Sequence, residues 1–171
     1  MRKSILLLIL LFAIGITANA QKFALIDMEY ILKNIPAYDK ANAQLEQASK
    51  QRQTEVESAA EEVKTMYKNY QAKSGSLAAV QKNKQEEDIV AKEKAVAELR
   101  RKYFGPEGEL AKKRESLLKP IQDQIYNVVK VLATQNGYSL VMDRASAASI
   151  IFASPSIDIS NDVLAKLGYS N

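Results

Sequence analysis

From Ala37 to about Gln135 the chain is drawn mostly from Ala, Gln, Glu, Lys, Leu and Arg, the residues that lose least on entering a helix. The only breakers in that span are Gly75, Gly105, Pro106, Gly108 and Pro120. A single compact domain would not normally carry so long a helical stretch, and the apolar residues show what it does instead. Tyr38, Ala41, Leu45 and Ala48 step by three and four, and after a polar gap at Lys50–Thr54 the rhythm resumes at Val56, Ala59, Val63, Met66 and Tyr70. Val96, Leu99 and Tyr103 follow, then Leu110, Leu117, Ile121, Ile125, Val128 and Leu132. A stripe this narrow is the seam by which helices pair. It is rich in Ala and interrupted by polar residues, so a weak coiled coil that bends readily is expected.

Ser74-Gly75-Ser76 is the best turn signal in the region. Two helices joined by so short a turn run antiparallel. The expected element is a helical hairpin arm over 37–136 with its tip near 74–76, its first limb about 55 Å long at 1.5 Å per residue. Such an arm has no room for a core of its own and must project. In "YFGPEGEL" the residues Gly105, Pro106 and Gly108 predict a kink in the returning helix near 105–108. Two readings of it stand open, a static bend that keeps the seam in register and a hinge that lets the distal arm swing. Pro120 is a second expected bend, where the helix enters the body.

The ends differ in character. Residues 21–36 and 137–171 are less charged and richer in Ile, Phe, Val and Ser, and together they are expected to form the body. Phe23 and Leu25 alternate with Lys22, Ala24 and Ile26 as a short strand, and "EYILKNIP" is a helical turn closed by Pro36. Asn136-Gly137 ends the long helix, and Leu140 and Met142 lie on one face of a second strand over 138–143. "SIIFAS", 149–154, is expected as a third strand carrying Ile151. Ser160 caps a last helix ending at Leu167, with Ile159 and Leu164 forming a hydrophobic staple and Gly168 closing it. Phe23, Leu25, Leu140, Met142, Ile151 and Leu164 are the candidate body core and oligomerisation residues. A body of roughly 50 residues is near the lower limit for an independent core, so it would gain from burial against copies of itself.

Residues 1–20 are read separately. "MRKSILLLILLFAIGITANA" has a basic start, an apolar run from Ile5 to Ile16 and an Ala18-Asn19-Ala20 exit, the pattern of a secretory signal peptide cut after Ala20. The apolar run is short for a membrane of about 30 Å. The expected mature protein, Gln21 to Asn171, is soluble. The leader holds two of the 24 basic residues and none of the 20 acids, so only a slight basic excess remains. The chain has no Cys and no His, which removes thiolate chemistry, disulfides, the usual metal ligands and the usual neutral-pH acid–base group. No metal site and no cofactor are expected. Carboxylate pairs such as Glu61/Glu62 are neighbours along a helix and do not face each other across a cleft. Asp27, Asp143, Asp158 and Asp162 read as turn and cap residues. No phosphate loop or nucleophile motif is present, and the chain is not read as an enzyme.

The distribution of charge is more informative. Val63 to Gln85 contains five lysines and no acid, although acids are dense on both sides. Lys64, Lys68, Lys73, Lys82 and Lys84 flank the expected tip, with Met66, Tyr67 and Tyr70 among them. The bland reading is solubility of an exposed end. The functional reading is capture, lysines attracting acidic partners or anionic lipid headgroups while Met and Tyr supply adaptable apolar contact. An exported chain makes nucleic acid a poor partner.

"LLKPIQDQIYNVVKVLATQNGYSLVMDR", Leu117 to Arg144, and "IIFASPSIDISNDVLAKL", Ile150 to Leu167, are similar to the C-terminal part of the OmpH/Skp chaperones. "FALIDMEYILKNIPAY", Phe23 to Tyr38, resembles their first strand and helix, and the leader and Lys-rich hairpin agree. The resemblance covers essentially the whole expected mature chain. It implies an α+β, mostly α fold in which a small β body carries one long helical hairpin, a tentacle, per subunit. It further implies a homotrimer whose bodies merge into a small barrel, and an ATP-independent periplasmic holdase for unfolded outer-membrane proteins. No catalytic residues carry over. A lipopolysaccharide site proposed for some members has no matched residues here, and the "GPEG" break departs from the more continuous helix of the family. The alternative reading from the residues is a structural coiled-coil protein that spaces or tethers cell-envelope components.

Overall fold

The computed structural model describes residues 21–147 and 149–169. The expected leader, residues 1–20, lies outside the described residues. The order of elements is β1 (Lys22–Ile26), α1 (Met28–Lys33), α2 (Pro36–Lys73), a 3-10 turn at Ser74–Ser76, α3 (Ala79–Phe104), α4 (Glu109–Asn136), β2 (Tyr138–Asp143), a 3-10 turn at Pro155–Ile157 and α5 (Ser160–Leu167). The fold is α+β and mostly helical, a two-stranded sheet with small helices at the base of a long helical hairpin.

The first and last parts of the chain meet because β1 and β2 pair in parallel, Ala24 opposite Val141 and Ile26 opposite Asp143. A parallel pair needs a long crossover, and here the whole arm is that crossover. One sheet face buries Ala24 and Ile26 in a core shared with Ile31, Ile35, Ala41, Ile121, Ile125, Ile159, Val163 and Leu164. Pro36 does not close α1; it opens α2 from the first helical position, where its missing N–H costs nothing. Gly137 ends α4 in the left-handed conformation, φ 70° and ψ 33°, as the Asn-Gly pair predicts.

Three expectations for the body are corrected. Residues 149–154 form no strand. The edge of β1 away from β2 is taken by a later segment, Leu25 bridging Asp158 and the Ile159 N–H donating to the Leu25 carbonyl at 2.9 Å, and 149–154 pairs with neither strand. Ile151 is accordingly fully exposed. The helices also pack on the sheet face opposite to the expected one, that of Ala24 and Ile26. On the expected face Phe23 and Leu140 are exposed and Met142 is half-buried, while Leu25 is buried, as is Leu164 of α5. Ser160 is the first helical residue of α5 and not its cap; its hydroxyl accepts from the Asp27 N–H at 2.8 Å and donates to Asp158 at 2.6 Å. Ile159 takes the cap position instead, so Ile159 and Leu164 are not the expected staple pair, although both are buried in the core. Pro120, expected as a bend, lies inside α4, which continues through it, and Pro120 and Ser116 one turn earlier are both exposed.

Candidate functional site

The tip is built by α2 and α3. α2 holds 38 residues, which at 1.5 Å per residue carries its far end about 57 Å along the arm. The turn is tied locally, Ser76 Oγ donating to the Lys73 carbonyl at 2.9 Å and Gln81 Oε1 accepting from the Ala78 N–H at 3.2 Å. Gln81 thereby meets one of the unpaired groups at the start of α3.

The expected tip residues gather at this end, but not all alike. Lys64 pairs with Glu61 at 3.0 Å. Lys68, Lys73, Lys82 and Lys84 enter no ion pair among the described residues. Tyr67 is 51% exposed, and Val80, which sequence reasoning passed over, is 80% exposed. Met66 is half-buried, lining a small cavity of about 180 Å³ with Asn69, Lys73, Gln85, Asp88 and Ile89. Tyr70 is half-buried and turned inward: its hydroxyl donates to Glu86 across the hairpin, and that bond to a carboxylate raises the phenol's pKa. Tyr70 therefore joins the two helices, leaving Tyr67, Val80 and the unpaired lysines as the outward surface.

The break near 105–108 lies between α3 and α4, as expected, and brings together residues that sequence reasoning missed. Tyr103, only 5% exposed, donates its hydroxyl to Glu55 Oε2 at 2.6 Å. Arg52 Nη1 reaches the other Glu55 oxygen at 2.7 Å, and Arg52 Nη2 reaches Glu109 Oε2 at 3.1 Å. The Arg52 guanidinium stands 4.5 Å from the centre of the Tyr103 ring. Lys102 pairs with Glu109 Oε1 at 3.3 Å. The Tyr103 bond, followed by Arg52, holds the Glu55 carboxyl below its usual range, while Glu55 raises the Tyr103 phenol. The signal that could have found Arg52 was the polar gap at Lys50–Thr54, since a seam interrupted opposite a helix break leaves room for a charged side chain.

In the body, Asp27 accepts from the Tyr30 N–H at 2.9 Å and from Arg144 at 2.8 Å. Asp158 also faces Arg144, at 3.8 Å. The hydrogen bond from Arg144, then that from the Tyr30 N–H, lowers the Asp27 pKa. Asp143 accepts from the Met28 and Ala145 N–H groups, each at 3.0 Å. These carboxylates are cap and ion-pair residues, the bland role expected of them. Among the described residues no group of His, Cys, Asp and Glu has the arrangement of a metal site, and no helix is long and apolar enough to cross a membrane.

Comparison with known proteins agrees with this architecture. The family model described as outer membrane protein (OmpH-like) matches residues 22–167. Chaperone protein Skp of Yersinia enterocolitica is 27% identical over 154 residues, covering 89% of each chain. Chaperone protein Skp of Pectobacterium atrosepticum is 24% identical over 145 residues, covering 85% of this chain and 84% of its own. The crystal structure of an OmpH-like protein from Caulobacter crescentus superposes with a TM-score of 0.67 at 16% identity, covering 86% of this chain and 83% of that one, and so shares the fold. The match over nearly the whole described chain, with a hairpin arm on a small parallel sheet, makes this protein a member of the OmpH/Skp chaperone family.

Proposed function

We propose that the protein is an ATP-independent periplasmic holdase that binds unfolded outer-membrane proteins and keeps them from aggregating. The observation that carries this reading is the arm, a long hairpin ending in unpaired lysines beside exposed Tyr67 and Val80. Such a surface offers an unfolded chain many weak contacts in place of one tight site. Several arms acting together gain by effective concentration, yet each contact breaks easily, so a client can leave without an energy source. Periplasmic location rests on the leader read in residues 1–20. The assembly that fits is a homotrimer whose bodies join through the uncovered sheet face, with the arms surrounding the client. No cofactor takes part.

The test is direct. Mature protein added without ATP to a urea-denatured outer-membrane barrel protein is expected to suppress turbidity on dilution at one trimer per client. Turbidity that rises equally with and without it would overturn the reading. Replacing Lys64, Lys68, Lys73, Lys82 and Lys84 by Gln is expected to slow capture at low salt and flatten its salt dependence, because steering by exposed charge weakens as ions screen it. Equal on-rates at low salt would remove the tip from the mechanism. The same lysines suit anionic lipid headgroups, and competition by anionic vesicles measures how far the two partners share the tip.

A further inference from the structure

We propose that the break between α3 and α4 is a locked elbow that aims the distal arm, and not a swivel about which it swings. The first reason is the neighbouring helix. α2 runs without interruption from Pro36 to Lys73 and packs against both α3 and α4. Rotation at the break would have to bend a continuous helix beside it, near Arg52 and Glu55.

The second reason is the role of the glycines. Gly105 and Gly108 have ordinary φ values of −64° and −72°, so neither is required for a left-handed turn. What they supply is the absence of a side chain. A Cβ on Gly105 would lie 2.4 Å from the Arg101 carbonyl oxygen, and one on Gly108 would lie 2.8 Å from the carbonyl oxygens of Lys102 and Tyr103. The backbone between them is tied at each step, Gly105 N–H to the Arg101 carbonyl at 2.9 Å, Gly108 N–H to the Gly105 carbonyl at 2.9 Å and Lys112 N–H to the Gly108 carbonyl at 3.1 Å. These glycines permit close packing of the chain on itself.

The third reason is the clasp. Arg52 and Glu55 of α2, Lys102 and Tyr103 of α3 and Glu109 of α4 form one connected network across all three helices. Isolated exposed ion pairs hold little. This set is different in kind, because it is anchored on a buried tyrosine ring and a guanidinium that bonds two carboxylates while stacking on that ring. The polar gap in the α2 seam is where the clasp takes over from apolar packing. Arg52 and Tyr103 are positioning residues: they set where the lysine tip points.

The chain has no cysteine, so two introduced ones report without interference. Spin labels at Lys94→Cys on α3 and Gln122→Cys on α4, both exposed positions, span the elbow. Labelled chains diluted into unlabelled ones are expected to give one narrow distance distribution. Tyr103→Phe and Arg52→Gln should each broaden it. Gly105→Ala should shift its mean, because the added methyl displaces the Arg101 carbonyl. Tyr103→Phe keeps the ring and its packing, so it carries the test even if Gly105→Ala fails to fold. A broad distribution in the parent, a distribution unmoved by either clasp variant, or a narrowing in Gly105→Ala would each overturn the proposal.

Discussion

Asp27 shows how one residue joins segments far apart in sequence. It caps α1 through the Tyr30 N–H and pairs with Arg144 just beyond β2. Its folded pKa is lowered from the usual 3.8, so the unfolded chain takes up its proton more readily than the folded one. The stability it contributes is complete above the unfolded value and disappears as pH falls through the lower folded value. Acid unfolding of Asp27→Asn, which keeps a side chain able to cap, is expected to show a shallower loss of stability below about pH 4, checked by circular dichroism against pH. At the elbow the Tyr103–Glu55 hydrogen bond lowers the Glu55 pKa and raises that of Tyr103, which favours the carboxylate paired with the neutral phenol. The cap role of Asp27 was legible because capping is local. Its bond to Arg144 was not, since 117 positions separate them.

At the scale of elements, the hairpin, the tip turn and the place of the break were all readable, because helix propensity, seam spacing and breakers act over a few residues. Gly137 belongs here as well. Its φ of 70° needs a glycine, and a Cβ there would meet nothing within 4 Å, so the cost of adding one is conformational alone. Gly137→Ala is expected to lower stability by about 1–2 kcal/mol, read from the urea midpoint with an unchanged slope. The segment 149–154 is the counterexample. Its short apolar run suggested a strand, but strand formation depends on a pairing partner, and the place beside β1 went to Asp158 and Ile159. Which face of β1 goes inward was equally hidden. Phe23 and Leu25 are larger than Ala24, yet the face that meets the helices belongs to Ala24 and Ile26.

For the whole molecule, the uncovered face with Phe23 and Leu140, together with fully exposed Ile151 and Phe152 at 85%, is the part a single chain leaves unfinished. Exposed apolar surface of this kind marks an interface, and the homotrimer we propose would cover it. Light scattering of the mature protein is expected to give the trimer mass, and Phe23→Asp with Leu140→Asp to reduce it to that of one chain; a monomeric parent would rule out this assembly. The sequence by itself determined a helical arm on a small body, the direction in which the arm folds back, and the concentration of lysines at its end, because all of these follow from short-range periodicity and composition. Tertiary structure alone decided which sheet face is buried, that 149–154 stays unpaired, and that Arg52, Glu55, Tyr103 and Glu109 converge on the break. Those outcomes depend on contacts between residues that are distant along the chain, and local propensity carries no record of them.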